Sequence, residues 1–98
     1  MEIRKTVQGS TLNIALEGRL DTTTAPQLEE ELKRSWDGVT ELILDFQALD
    51  YLSSAGLRVI LAAQKVMNRQ GRMVVRHVNE SIMEVFELTG FVDILTIE

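Results

Sequence analysis

Apolar and polar residues alternate weakly over residues 2 to 7 and clearly over residues 11 to 17, where Leu12, Ile14 and Leu16 fall on one face and Asn13 and Glu17 on the other. A period of two predicts two half-buried strands, and Gly9-Ser10 between them predicts a hairpin turn. The period then changes. Leu28, Leu32 and Trp36 recur at helical spacing and predict a helix over about residues 25 to 36, with Thr24 as its cap, Gln27 as a capping-box partner and Pro26 in its first turn. Glu29, Glu30 and Glu31 stand toward its start and Lys33 and Arg34 toward its end, complementing the helix dipole, and the glutamates read as a solvated face. Residues 40 to 46 are nearly continuous in apolar character, as expected of a parallel strand buried on both faces. A second helix over about residues 54 to 70 presents Val59, Ile60, Ala63, Val66 and Met67 to the core and ends at Gly71. A strand over 72 to 76 follows, then Asn79 as cap of a helix carrying Ile82, Val85 and Phe86, which Gly90 stops. Val92, Ile94, Leu95 and Ile97 predict a last strand over about 92 to 97.

The resulting order, ββαβαβαβ, predicts an α/β fold. Its sheet is mostly parallel, with one N-terminal antiparallel hairpin strand and right-handed crossover helices. The C-terminal ends of the parallel strands then share one rim, where such folds place their sites. A chain of 98 residues is the size of one domain, residues 1–98, and buries roughly 60 to 70% of the surface its unfolded form exposes.

Composition narrows the chemistry. The absence of cysteine removes thiolate metal sites and cysteine nucleophiles, and a lone His77 argues against any metal centre. A net charge of −5 opposes nucleic-acid phosphates and anionic membrane surfaces. No stretch approaches the roughly 20 apolar residues that span a bilayer, so a cytoplasmic protein without membrane insertion is expected.

Candidate chemistry concentrates in Asp50-Tyr51-Leu52-Ser53-Ser54-Ala55-Gly56-Leu57-Arg58, between the most apolar strand and the longest helix. Ser54 has the composition of a helix cap, a role worth about 1 kcal/mol. The small residues Ala55 and Gly56 leave room for close approach to the two hydroxyls, and a helix N-terminus favours an anion such as a phosphoserine. Arg58, Lys65 and Arg69 share one helix face with Ala62 between them, either a solvated stripe or a surface that steers an acidic partner. Hydrolytic catalysis fits poorly. Ser54-x-Gly56 is half of a Gly-x-Ser-x-Gly elbow, but Leu52 stands at the first glycine position and no acid lies in triad order with His77.

The same segment resembles the phosphorylation segment of STAS-domain anti-sigma-factor antagonists, which typically reads Asp-Ser-Ser/Thr-Gly-Leu-Gly after an apolar strand. Aligned on Gly56-Leu57, the phosphorylated serine falls on Ser54. Ser53 stands where the family usually has Asp, Ala55 where it has Ser or Thr, and Arg58 where it often has Gly. Gly18-Arg19-Leu20-Asp21 resembles the family's Gly-x-Leu-Asp, and Leu88-Thr89-Gly90-Phe91 its late glycine turn. The resemblance spans essentially the whole chain.

It implies a single STAS-type domain that is no enzyme and holds no cofactor. Its implied partners are an anti-sigma factor that is also a serine kinase and a serine phosphatase, with no direct nucleic-acid contact. Phosphorylation of Ser54 is the implied switch, with Asp21 the acidic residue close to it, and Asp21, Ser53, Ala55, Gly56, Leu57, Arg58 and Ala62 are the candidate partner-binding residues. Asp21 otherwise reads as a turn or capping aspartate. Two other classes fit the residues: a non-phosphorylated STAS adaptor in a transporter-associated or signalling assembly, and a small-ligand or nucleotide-binding module using the helix N-terminus.

Overall fold

The axis of the molecule is one long strand that the alternation pattern understates. In a computed structural model describing residues 1–98, the elements run β1 (Glu2–Gln8), β2 (Thr11–Leu20), α1 (Ala25–Ser35), β3 (Glu41–Leu52), α2 (Ser54–Gln70), β4 (Arg72–Arg76) and α3 (Glu80–Thr89), with a single 3₁₀ turn at Phe91–Asp93. The sheet order is β1-β2-β3-β4. β1 and β2 form the expected antiparallel hairpin, and β2, β3 and β4 are parallel, joined by α1 and α2.

β3 continues to Leu52 rather than ending near residue 46, because two irregularities absorb the change of pattern. Ala15 pairs with Asp45 but Glu17 with Ala48, and Gly18 pairs with Leu49 but Arg19 with Tyr51, so β3 carries an extra residue at each place. Each bulge shifts the side-chain phase. The buried positions therefore step by two through Leu42, Leu44 and Phe46, then by three to Leu49 and Leu52, all on the core side.

That side of the sheet carries all three helices. Leu28 and Leu32 of α1, Ile60, Ala63 and Met67 of α2, and Ile82 and Phe86 of α3 join the strand residues in one cluster of 23 buried residues. Phe46 and Phe86, with ring centroids 6.4 Å apart, seat α3 on β3. Ile43 and Val74 are also buried, but on the opposite face and outside that cluster. Along that face Arg72 reaches Glu41 and Glu98, and Arg76 reaches Glu98 at 3.1 Å.

The edge strand β1 is mostly exposed, and Lys5 ties it to α1 through Glu31 at 3.1 Å. Glu31 is thus a partner of Lys5 and Arg34 rather than part of a freely solvated face, and those two hydrogen bonds hold its carboxyl below the ordinary range.

The predicted last strand does not form. The N–H groups of Asp93, Ile94 and Leu95 bond back to Gly90 and Phe91 carbonyls, which leaves them no donors for a ladder, and only Ile97 bridges Val75. Gly90 makes this reversal at φ +79, a conformation that favours glycine. Leu95 is still buried, but Val92 and Ile94 face solvent.

His77, at φ +58, directs Nδ1 to Asp45 Oδ1 at 2.9 Å at the end of β4. Burial raises the Asp45 pKa, but the His77 hydrogen bond, the Gln47 N–H and the nearby charges of His77 and Arg76 together hold it below its ordinary value of 3.8. A carboxylate depressed in the folded state stabilises fully above its unfolded pKa, and loses that contribution as pH falls through the folded value. The difference in urea midpoint between wild type and Asp45→Asn should therefore shrink as pH falls below about 4. A difference unchanged down to the acid transition would contradict the assignment.

Candidate functional site

Strands β2 and β3 end together on one rim, where Leu20 pairs with Leu52 and the Ser53 N–H donates to the Leu20 carbonyl at 2.9 Å. The chain turns directly into α2 from there. Ser53, extended at φ −97 and ψ 173, is the cap: its Oγ accepts from the Gly56 N–H at 3.4 Å and its carbonyl from the Leu57 N–H at 3.0 Å. Ser54 is not the cap. It is the first helical residue, exposed, with the Ser54 and Ala55 N–H groups lying ahead of the first intrahelical bond. Because Ser53 does the capping, the Ser54 hydroxyl is not required by the fold.

The small residues that follow divide into two roles. Gly56 is buried, and a Cβ there would lie 2.7 Å from Leu20 Cγ and from Leu52 Cδ1. Its size is required from inside, by the seating of α2 on two leucines, and not by anything approaching from outside. Leu57 is likewise buried, at 7% exposure, so neither it nor Gly56 offers side-chain surface. Ala55, Arg58 and Ala62 do reach the surface. Together with Val59 they form one wall of a shallow groove of about 300 Å³ whose other wall is Thr22, Ala25, Pro26 and Glu29 of the loop before α1 and its first turns.

Asp21 shapes that second wall. Its Oδ1 accepts from the Thr23 and Thr24 N–H groups at 3.0 and 3.1 Å, and its carbonyl receives the Ala25 N–H at 2.8 Å. The Thr24 backbone bond is the largest cause of a pKa below the ordinary carboxylate value, and it outweighs the opposing effect of burial. Asp21 thus makes the hydrogen bonds of a turn aspartate. The expected Thr24–Gln27 capping box is absent: Thr24 Oγ1 donates to the Arg19 carbonyl, and Gln27 Nε2 reaches the Met1 carbonyl.

Two further rim residues escaped the sequence reading. Arg19 and Tyr51 are register partners just before the strands end, and the Arg19 guanidinium lies 4.1 Å from the Tyr51 ring centroid and 3.7 Å from Asp21 Oδ2. Their pairing depends on β3 reaching Leu52. Arg58, Lys65 and Arg69 are exposed on α2 without an ion-pair partner. No three metal-ligating side chains gather, and no helix is long and apolar enough to cross a membrane.

The four-stranded mixed sheet with all three helices on one face is that of an α/β domain of the STAS type. The STAS domain family model matches residues 2–98, and the chain belongs to that family. Among relatives, BtrV of Bordetella bronchiseptica, assigned as an anti-sigma factor antagonist, is 40% identical over 84% of this chain and 72% of its own length. The anti-sigma-B factor antagonist of Staphylococcus aureus is 28% identical over 97% of this chain and 90% of its own. The fold matches the Bacillus cell fate determinant SpoIIAA in the phosphorylated form, with a TM-score of 0.77 and 21% identity over 99% of this chain and 91% of that one. Anti-sigma factor antagonists are regulatory binding proteins, not enzymes.

The internal role of Gly56 gives a direct test. Gly→Ala in an exposed helix interior normally gains about 1 kcal/mol. Here overpacking costs about 1–3 kcal/mol. Gly56→Ala should therefore lower the urea midpoint, and Gly56→Val should lower it further. A raised midpoint for Gly56→Ala would show that nothing presses on that face.

Proposed function

We propose that this chain is an anti-sigma factor antagonist whose complex with an anti-sigma factor, itself a serine kinase, is ended by phosphorylation of Ser54 and restored by a serine phosphatase. The observation that carries this reading is the position of Ser54: exposed, not needed as a cap, and standing where the dipole and free N–H groups of a 17-residue helix favour an anion. ATP would belong to the kinase. The groove between α1 and α2 supports a docked partner, with Ala55 and Ala62 allowing close approach and Arg58 supplying charge. Its working place would be the cytoplasm, with no direct role for nucleic acid.

In this reading the switch acts on the surface. A phosphate adds about −1.5 to −2 charge where a neutral, small-residue patch had been. A partner packed over Ala55 must then clash with the dianion or bury it without a counter-ion, at a cost of several kcal/mol. SpoIIAA, which shares the fold, has been solved in both unphosphorylated and phosphorylated forms, so the scaffold type accommodates the group.

The test uses protein from its native cell and its kinase partner. Trypsin releases the segment Ser35–Arg58, and fragmentation should place phosphate on Ser54 and not Ser53. With ATP and magnesium, Ser54→Ala should stay bound to the partner. Ser54→Asp should bind at least tenfold more weakly, about 1.4 kcal/mol, with its thermal midpoint unchanged. Phosphate on Ser53 would refute the assignment. Binding indifferent to ATP in the wild type would instead favour the constitutive adaptor, which Ser53 at the family's usual Asp position permits.

A further inference from the structure

The charge of this chain is not spread over it. All 10 Lys and Arg residues lie at or before Arg76, whereas residues 78–98 hold five of the 15 acidic residues and no basic one. The entire net charge of −5 therefore belongs to α3 and the segment after it. Glu98 is neutralised by Arg72 and Arg76, but Glu80, Glu84, Glu87 and Asp93 have no ion-pair partner.

Glu80, Glu84 and Glu87 share one face of α3, and that face runs on into Leu88. Leu88 is 79% exposed, Ile94 49% and Val92 40%, so three of the five large exposed apolar side chains stand at this end. The charges destabilise the free helix toward its C-terminal end, although Glu80 in the first turn is favoured by the dipole. Glu80 and Glu84 repel at one-turn spacing, and Glu87 adds negative charge to the last turn, where the helix dipole is also negative and no basic residue compensates.

A single kind of occupant complements both the acidic and the apolar side chains. We propose that the face formed by α3 and the Phe91–Ile94 turn is a second docking surface, for a basic amphipathic helix of a partner protein. The partner's apolar stripe covers Leu88, Val92 and Ile94, and its Lys or Arg residues meet Glu80, Glu84, Glu87 and Asp93. The sign of the charge excludes nucleic acid and anionic membrane as occupants.

This surface begins near the rim at Glu80 and leads away from Ser54. Asn79 anchors the start of α3 at the Leu49 carbonyl near the rim, and the chain after α3 rises again parallel to β4 through the Val75–Ile97 bridge, so Leu88 and Val92 lie toward the opposite end of the sheet. The chain could thus hold two partners at once, one sensitive to Ser54 and one not.

Nuclear magnetic resonance of the ¹⁵N-labelled full chain tests this, with a synthetic peptide carrying Leu and Lys at helical spacing as probe and a scrambled isomer as control. Shift changes should be confined to residues 80–94, and the scrambled peptide should bind at least tenfold more weakly. Leu88→Ser, at an exposed position, and Glu84→Lys/Glu87→Lys should each lower affinity at least tenfold, while Glu30→Lys/Asp37→Lys changes nothing. Glu84→Lys/Glu87→Lys should also raise the thermal midpoint of the free chain, the mark of a surface kept at the expense of stability. Equal binding of the scrambled peptide, or shifts spread over the rim, would overturn the proposal. So would concentration-dependent sedimentation of the wild type that Glu84→Lys/Glu87→Lys abolishes, since the occupant would then be a second copy offering Arg58, Lys65 and Arg69.

Discussion

Everything at the rim follows from how closely α2 can approach the ends of β2 and β3. Leu20 and Leu52 are the last core residues of their strands, and Gly56 in the first helical turn rests on both. A side chain there would lift the helix start off the sheet. With glycine in place, the Ser53 N–H reaches the Leu20 carbonyl, Ser53 caps the helix, and Ser54 is carried to the outside of the first turn. The exposure of Ser54 is thus a consequence of packing two leucines beneath it. The same seating brings Ala55 and Arg58 opposite Ala25 and Glu29, which creates the groove.

Most of the element order was legible because apolar spacing in this chain is regular wherever an element packs on one face. The hairpin, the three helices and the parallel strands all follow from it. It failed where the backbone changes phase. Phe46, Leu49 and Leu52 step by three, so the end of β3 carries no strand period, although two bulges restore its core face. It failed again at Val92 to Ile97, where the apolar pattern suits a strand but Gly90 turns the chain back and uses the amides locally. At the site, the helix start after Leu52 and the rim position of Asp21 were readable, but the cap is Ser53 where Ser54 was expected. The reason for Gly56 was not, since small size looks the same in sequence whether the neighbour is inside or outside the molecule.

Asp21 and Ser53 share a further property: each uses a side-chain oxygen to bind backbone N–H groups, Asp21 Oδ1 two of the loop before α1 and Ser53 Oγ one in the first turn of α2. Both walls of the groove are fixed by such local bonds, so the surface is held in shape before any partner arrives. Preorganisation of this kind lowers the ordering cost of association. It also means that charge placed on Ser54 alters a rigid surface, since Ser54 itself holds nothing in place.

A switch made by surface charge alone requires that a phosphate at Ser54 leave the helix start intact. Amide hydrogen exchange across residues 53–60 of the stoichiometrically phosphorylated chain measures this. Added hydrogen bonds to the free N–H groups predict exchange that is unchanged or slower than in the unmodified protein. Faster exchange through the first turn of α2 would mean that phosphorylation acts by melting the helix start, which would contradict a switch made by surface charge alone.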